Sequence, residues 1–238
     1  MAVTGRAATT TGVAVAVIAT AVLLGRRMSR WGASEEELSR SLPGDDEVQD
    51  PQLASTRAIS IRAPARLVWP WLVQMGWRRA GWYSYDVIDN DRIPSADHII
   101  GTLQGLQPGD FVPEGPGVGW TVTAVEPDRM ILLTTHAPMT GVAWVRWRDS
   151  SWLFLIEERG AEHSRLIERA RTTLTTNPDT IAGKLLSTRL GGSALAVGDF
   201  VMAHRHMHGI RRRAEAQWRD RPEPQRHDRG GPTTNPVS

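Results

Sequence analysis

The second half of the sequence holds short strand-like runs and then one long amphipathic helix, and this order limits the fold more than any other feature. Runs of this length, separated by turn residues and including a hairpin at Gly160, are typical of an antiparallel sheet. They cover residues 110–113, 117–125, 129–136, 142–148, 151–158 and 163–173. Apolar residues then recur every three or four positions from Leu195 to Trp218, which predicts a long helix. Only this helix is long enough to cover one face of the sheet.

A strand and a short helix precede the sheet. The stretch TRAISIRAP alternates, with Ile59 and Ile61 on one face, so it predicts a half-buried strand. The stretch ARLVWPWLVQMG follows and predicts a short helix, because Leu67, Trp71 and Met75 lie four apart and share one face. Its internal proline fits only near the start of the helix or at a kink. The glycine-rich segment after it has no clear periodicity.

The N-terminus carries an uncharged, mostly apolar run at residues 7–25. About twenty apolar residues are enough to cross a bilayer. Arg6 precedes the run, whereas Arg26, Arg27 and Arg30 follow it, and no A-x-A-like cleavage site is present. This pattern favours an uncleaved anchor over a signal peptide or a buried core helix. The positive-inside rule then predicts a single-pass protein of the cell membrane with a cytoplasmic C-terminal domain.

Composition excludes several classes of function. The chain of 238 residues has no cysteine, which excludes disulfides, cysteine-ligated zinc and thiol catalysis. The formal net charge is only +2, and Lys184 is the single lysine among 28 basic residues. The one dense basic cluster is 211–213, so we expect no nucleic-acid binding. No phosphate-binding loop, nucleophile elbow or catalytic triad is visible, and we expect no cofactor.

The order of these elements resembles the helix-grip fold of the START-like superfamily, also called SRPBCC or polyketide cyclase-like proteins. The stretches that carry the resemblance are RAISIRAPARLVWPWLVQMG at 57–76, GWYSYD at 81–86, WLFLIEERGAEHSRLIERAR at 152–171 and DFVMAHRHMHGIRRRAE at 199–215. They look most like a bacterial subgroup, some members of which have a membrane-spanning N-terminus. The resemblance implies an α+β fold in which a curved antiparallel sheet wraps around the long C-terminal helix and encloses an apolar cavity. It implies no particular reaction, because the superfamily includes lipid carriers, hormone receptors, cyclases and chaperone regulators.

Four segments follow from these patterns. Residues 1–30 are expected to form the anchor, with a transmembrane helix before the helix-grip domain. Residues 31–55 form a polar helix, which Ser34 is placed to cap, and a linker. Residues 56–219 form the helix-grip domain. Residues 220–238 are rich in proline, glycine and charge and are expected to be disordered.

Candidate ligand-binding residues are aromatic or polar side chains of the segments that should surround the cavity. Tyr83 and Tyr85 are the only tyrosines, and a phenol has an apolar ring with a polar tip. In an extended segment they would share one face, and Trp82 and Asp86 the other, so only one set could face inward. Ordinary packing is the alternative. The full candidate set is Trp82, Tyr83, Tyr85, Trp120, Trp144, Trp152, Arg171, Phe200, His204 and Met207.

The last helix places polar groups beside its apolar stripe. His204 and Arg211 fall inside the stripe, while His206 falls on the other side. A buried imidazole or guanidinium needs a polar partner, which a ligand could supply, although Arg211 can also extend into water. His204 and His208 lie four apart, but two ligands make an incomplete metal site, and we expect no metal.

Three hypotheses follow from the sequence. The leading one is a membrane-anchored binding protein that holds a small hydrophobic ligand, similar to a lipid, quinone or polyketide, without catalysis. The second is a cyclase- or dehydratase-type enzyme that uses Tyr83, Asp86 or His204 as acid–base groups in the same cavity. The third is a protein-interaction module with a filled core and an exposed apolar patch, for which the sequence names no partner.

Overall fold

The computed structural model describes residues 19–136, 139–140, 145–176 and 189–221. The helices are α1 (19–29), α2 (Glu35–Ser39), α3 (Ala65–Gln74), α4 (Asp86–Asp89) and α5 (Arg189–Arg219), with a 3-10 turn at Gly101–Leu103. The strands are β1 (Leu53–Ile61), β2 (Phe111–Gly115), β3 (Val118–Glu126), β4 (Met130–Thr135), β5 (Met139–Thr140), β6 (Val145–Glu158) and β7 (Ser164–Thr176).

The strands form one antiparallel sheet in the order β1-β7-β6-β4-β3-β2, with β5 paired to the start of β6. The predicted hairpin at Gly160 is confirmed: it joins β6 to β7, and Gly160 has a φ of 102°, which glycine adopts without strain. Residues 145–148 of one predicted run and the whole of the next, 151–158, belong to one strand, β6, whose pairing with β7 shifts register between Trp147 and Ser150. This shift is a bulge, which sequence alternation cannot distinguish from a break.

Helices α3 and α5 pack against the inner face of the sheet and complete a helix-grip architecture. The main core lies between them, and Leu67 and Trp71 point into it as the spacing predicts. Fully buried residues of this core include Ile61, Phe154, Leu166, Met207 and Ile210. The α+β fold with a sheet around the C-terminal helix is therefore confirmed. Helix α5 is longer than predicted and is described from Arg189 onward.

The outer face of the sheet is covered as well, by the segment between α1 and β1. A second apolar cluster joins Leu42 of this segment to Ala58, Leu132 and Ile167 on the strands. Ser34 caps α2 as predicted: its hydroxyl accepts from the Glu37 N–H, and the Glu37 carboxylate accepts from the Ser34 N–H. Both sheet faces are therefore buried, which explains the continuous apolar runs MILL in β4 and WLFLI in β6.

Several sequence predictions fall outside the described residues. They include Trp144, the helix start predicted at 177–178, residues 7–18 of the predicted anchor and residues 222–238 of the predicted disordered tail. Helix α1 covers 19–29, at the end of the apolar run. Within the described ranges, no helix combines the length and apolarity that a membrane crossing requires.

The GWYSYD segment packs directly against α5 and is not extended. Tyr83 has a φ of 56°, in the left-handed region, so the chain turns sharply here. Its backbone approaches α5 so closely that a Cβ on Gly209 would collide with the Tyr83 carbonyl oxygen. The side chain of Tyr83 is buried, whereas that of Tyr85 is 37% exposed and lies under Arg205. The two phenols therefore do not share a face.

Gly209→Ala should destabilise the protein although alanine favours helices. The added methyl would force the turn at Tyr83 away from α5, and we expect a loss of about 1–3 kcal/mol in the free energy of unfolding. Gly198→Ala on the same helix is the matched control, because a Cβ there meets no described atom within 4 Å. It should stabilise by up to about 1 kcal/mol. Urea unfolding of both variants checks the prediction. Equal changes in the free energy of unfolding for Gly209→Ala and Gly198→Ala would contradict it.

Candidate ligand-binding cavity

A cavity of about 390 Å³ lies between the inner face of the sheet and the N-terminal half of α5. Its lining comes from β1, β2, β6 and β7, from α4, α5 and the loop between α3 and α4, and from Ser29 at the end of α1. The apolar part of this lining includes Leu53, Ala54, Trp82, Trp152, Ala170 and Met202. The polar part includes Ser84, Asp89, Glu114, Glu168, Asp199 and His206.

Stacked aromatic rings form one wall of the cavity. Trp82 stacks on Trp152 with ring centroids 5.3 Å apart, and Trp152 also contacts Trp120 and Phe154 at 5.4 and 4.7 Å. These contacts join the loop after α3 to the sheet, because Trp82 lies in that loop and the other three rings lie on strands. The wall is therefore rigid and apolar, and its Trp82 and Trp152 rings are open to the cavity.

A buried ion pair lies at the sheet side of the cavity. Arg57 and Glu168 face each other across β1 and β7, and neither side chain is more than 3% exposed. Their closest atoms, Nη1 and Oε1, are 3.8 Å apart, while Arg57 Nη2 donates to the Asp199 carboxylate at 2.5 Å. Arg57 Nε donates to the Met28 carbonyl oxygen, so this one guanidinium connects α1, the sheet and α5.

Three of the carboxyl groups that line the cavity have raised pKa values. Burial raises the pKa of Glu168 to about 7, although nearby Arg57 acts to lower it. Burial also raises the pKa of Glu114 to about 7 and, with repulsion from Asp86, that of Asp89 to about 6. Glu114 lines the cavity but is exposed there, whereas Glu168 is 2% exposed, so Glu168 is the carboxyl group that burial affects most. These groups therefore exchange protons near neutral pH.

His206 supplies a neutral acceptor to the cavity. The side chain is buried, and its Nδ1 donates to the Trp82 carbonyl oxygen, which fixes the proton on that nitrogen. Burial lowers the pKa of His206 to about 4, so the ring is neutral at physiological pH. Nε2 has no hydrogen-bond partner among the described atoms and carries a free lone pair.

The structure separates the ligand-binding residues predicted from sequence. Trp82 and Trp152 line the cavity, and Trp120 lies behind Trp152. Tyr83 is in the core, where its hydroxyl donates to the Trp71 carbonyl oxygen and accepts from Gln74, and burial raises its pKa. The described cavity lining also leaves out Tyr85, Asp86, Arg171, Phe200, His204 and Met207, while Trp144 lies outside the described residues.

Arg171 and Asp86 have partners away from the cavity. Arg171 lies on the outer face of the sheet, where it donates to the carbonyl oxygens of Val48 and Gln49. Asp86 accepts a hydrogen bond from Ser95 at the start of α4. Both side chains are therefore held by the fold itself, and neither is placed to contact a ligand in the cavity.

The histidines of α5 are arranged differently from the expectation. His206, expected outside the apolar stripe, is the buried one, whereas His204 is half-buried and packs on Trp31 with ring centroids 4.6 Å apart. His204 also lies 4.4 Å from the His208 ring. The described residues contain no group of three or more side chains that could hold a metal ion.

Sequence reasoning missed Glu114, Glu168 and Asp199, although one signal was present. In β7 the residues Leu166, Glu168 and Ala170 alternate with outward-facing arginines, so Glu168 occupies an apolar face. In β1 the residue Arg57 shares the face of Ile59 and Ile61. A buried charge on each of two strands indicates a pair, since an isolated buried charge is costly.

Glu168→Gln should remove a pH dependence of stability. The folded pKa of about 7 lies above the ordinary value of 4.5, so the folded state binds this proton more tightly than the unfolded state. The stability from this group is present below about pH 4.5 and is lost as the pH rises through about 7. We expect wild type to lose about 2 kcal/mol more than Glu168→Gln across this window. Urea unfolding of both proteins at about pH 4.5 and at about pH 7 measures this difference. Equal losses of stability in wild type and Glu168→Gln would refute the prediction.

Comparisons with known proteins give structural similarity only. No protein-family model matches the sequence, and no curated protein matches it. CalU16 from Micromonospora echinospora is 14% identical, with 68% of this chain and 84% of that chain covered and a TM-score of 0.32. The Zhui aromatase/cyclase from Streptomyces sp. R1128 is 13% identical, with 71% and 96% covered and a TM-score of 0.34. Ms6760 from Mycobacterium smegmatis is 15% identical, with 71% and 96% covered and a TM-score of 0.37. At TM-scores this low, the similarities carry no argument about this chain.

Proposed function

We propose that this protein binds a small, mostly apolar ligand in the internal cavity. The cavity itself supports the proposal: about 390 Å³ lies open beside an aromatic wall, within the range of roughly 300–1,000 Å³ typical of ligand pockets. The rest of the inner core is closely packed, with Phe154, Leu166 and Met207 at most 1% exposed. A ligand that covered Trp82 and Trp152 would gain about 25 cal/mol for each Å² of apolar surface removed from water.

A variant that fills the cavity tests this proposal. Ala170 lies opposite Trp152 on the sheet and lines the cavity, so Ala170→Phe should occupy the space of the ligand. The probe is naphthylmethanol, a neutral aromatic alcohol, and binding to the full chain is followed by calorimetry. We expect saturable binding to wild type and at least a tenfold loss in the variant.

Ala161→Phe is the matched control, because Ala161 is exposed in the turn after β6. It should bind the probe as wild type does. Absence of saturable binding to wild type, or equal binding by Ala170→Phe, would refute the proposal. Far-UV circular dichroism of each variant separates loss of the site from loss of the fold.

A second candidate function is acid–base catalysis in the same cavity. The observation that favours it is the set of carboxyl groups with pKa values near 6 to 7, because a general acid or base works best when its pKa lies near the working pH. The candidate acid–base groups are then Glu114 and Glu168, which line the cavity, instead of Tyr83 or His204. Dehydration of an aromatic β-hydroxy ketone by wild type, slowed about a hundredfold in Glu168→Gln, would support catalysis. No dehydration above the buffer rate would count against this reaction.

The interaction-module hypothesis predicts a filled core, which the cavity argues against. Exposed apolar side chains do occur at Val87, Ile88 and Val201, one or two positions along the chain from residues that line the cavity. Their neighbours Asp89 and Met202 line the cavity, so their exposure is explained equally well by a place at the edge of the cavity and by a protein-binding surface. Binding of a small probe inside the cavity is the observation that separates the two functions.

We also propose that residues 7–25 anchor the chain in the cell membrane with the helix-grip domain in the cytoplasm. The support is the uncharged run and the arginines after it. Ser29, just beyond this run, lines the cavity, so an anchored chain would hold the cavity close to the bilayer. Fractionation of cells that express the full chain tests the anchor, and recovery in the soluble fraction would exclude it.

A further inference from the structure

Carboxylates outnumber cations around the cavity. Asp89, Glu114, Glu168 and Asp199 line it, and they come from α4, β2, β7 and α5. Among the described residues, Arg57 is the cation in contact with this set, and it is not part of the cavity lining. With every carboxyl group ionised, the site would therefore carry an excess of negative charge inside a largely apolar enclosure.

Arg57 is already committed to other groups. Its Nη2 donates to Asp199, its Nε donates to the Met28 carbonyl oxygen, and its Nη1 stays 3.8 Å from Glu168. One positive charge is thus shared between two carboxylates and does not reach Glu114 or Asp89. The part of the chain that the structure describes therefore leaves the charge of Glu114 and Asp89 without a cation in contact.

Buried acceptor atoms at the cavity lack partners. Glu168 is 2% exposed, and the Trp152 side chain interacts with its carboxylate, but Oε2 has no donor in hydrogen-bond geometry among the described residues. His206 is 3% exposed, and its Nε2 is likewise unpartnered in the described part of the chain, with a lone pair because Nδ1 carries the proton. A buried polar atom without a partner is unfavourable, so these two acceptors indicate a ligand that donates hydrogen bonds. The indole N–H of Trp82, a buried donor that is also unpartnered among the described residues, can donate to an acceptor atom elsewhere on the same ligand.

The aromatic wall suits the same kind of ligand group. The rings of Trp82 and Trp152 line the cavity together with these acceptors. The face of an indole attracts a cation within about 6 Å of its centre, and tryptophan does so more strongly than tyrosine or phenylalanine. An apolar ligand body can pack on the same rings. The wall therefore accommodates both parts of an amphiphilic cation.

We propose that the ligand is an apolar molecule with a protonated amine, which donates to Glu168 and His206 and compensates the charge of Asp89 and Glu114. This inference rests on the proposed function, since it names the chemical class of the ligand for the same cavity. The amine would lie between the acceptors and the Trp82–Trp152 pair, and the apolar body would fill the space toward α5.

The proposal predicts that amine binding releases protons. A bound cation favours the ionised forms of Glu168, Glu114 and Asp89, whose pKa values burial raises into the range of about 6 to 7. Asp199 and Arg57 also face this site, and His206 is neutral. Between about pH 5 and 8 an alkyl amine stays protonated, so its affinity should rise with pH while that of a neutral probe should not.

Three probes with the same ring separate the ligand class from the binding function. They are naphthylmethylamine, naphthylmethanol and naphthoate, which are cationic, neutral and anionic, titrated into the full chain by calorimetry at about pH 8. We expect the amine to bind at least tenfold more tightly than the alcohol, and the naphthoate to bind most weakly. Repeating the amine titration at about pH 6.5, where these carboxyl groups are still partly protonated, in buffers of different ionisation enthalpy measures the released protons.

Substitutions then test which side chains cause the preference for the amine over the alcohol. Glu168→Gln should bring the ratio of amine to alcohol affinity close to one, and Asp89→Asn should reduce it in the same direction if the first variant does not fold. Glu158→Gln, an exposed position on β6, is the control and should keep the ratio of wild type. If the alcohol binds as tightly as the amine, the amine class is wrong and the binding function stands. If no probe binds, the binding function itself fails.

Discussion

Arg169→Met should lower the free energy of unfolding by about 3–5 kcal/mol. Arg169 is 6% exposed and joins the outer face of the sheet to the segment around α2. Its guanidinium donates to Thr56, to Asp45, and to the backbone carbonyl oxygens of Arg40 and Glu37. Methionine fills a similar volume but leaves these acceptors without a donor, and an unpartnered buried acceptor costs about 1–3 kcal/mol. Urea unfolding monitored by tryptophan fluorescence measures the loss.

Arg159→Met is the matched control for Arg169→Met. The Arg159 side chain is 56% exposed and forms an ion pair with Glu157. A surface pair of this kind contributes at most about 1 kcal/mol, so the control should unfold almost as wild type does. Equal losses in the two variants would show that the segment around α2 is not held to the sheet by Arg169.

Arg57→Met should be strongly destabilising, and the loss should grow with pH. Arg57 is fully buried between Glu168 and Asp199, and removing one partner of a buried ion pair costs about 3–5 kcal/mol. At low pH Glu168 can take up a proton and become neutral, because burial raises its pKa to about 7. We therefore expect the full loss at about pH 8 and a smaller one at about pH 5.5. Urea unfolding at both pH values measures the difference.

Two further variants isolate the ion pair in this prediction. Arg62→Met removes an arginine that is 78% exposed, just after β1, and should have little effect at either pH. The double variant Arg57→Met with Glu168→Gln removes both charges, and it should recover part of the loss at the higher pH. A loss in Arg57→Met that is independent of pH would indicate that packing and the Asp199 contact, rather than Glu168, dominate.

The elements that the sequence predicted correctly depend on local patterns. Period-two alternation located β1, the turn at Gly160 located the β6–β7 hairpin, and the spacing of Leu67 and Trp71 located α3. Ser34 caps α2 as its position before the helix predicts, and Glu37 completes a capping box with it. Each of these features is decided by residues a few positions apart, which is why one sequence suffices to find them.

The composition of the cavity depends on contacts that are distant in sequence. Arg57 and Glu168 pair across neighbouring strands, and Asp199 joins them from α5. Arg171, which seemed a candidate, shares the outward side of β7 with Arg169 and is held by the segment before β1. Alternation gives two faces for each strand but does not say which face looks inward when both are covered.

The positions of Tyr83 and His206 depend on the packing of one loop. In an extended GWYSYD segment the side chains would alternate between two faces, and the left-handed turn at Tyr83 breaks this alternation. It also brings the Trp82 carbonyl oxygen onto His206, which lies beyond the apolar stripe read from sequence. Val197 and Phe200 shifted that stripe toward His204, yet both are only partly buried. Which face of α5 is buried depends on the elements that pack against it, and the loop around Tyr83 has no periodic pattern from which its position could be predicted.

A crystal structure of the full chain with naphthylmethanol tests the central claim most directly. The account predicts electron density for the ring inside the cavity, packed on Trp82 and Trp152 and reaching Glu168 or His206. Density confined to the protein surface, or a cavity that is closed by the protein's own side chains, would contradict ligand binding as the function of this fold.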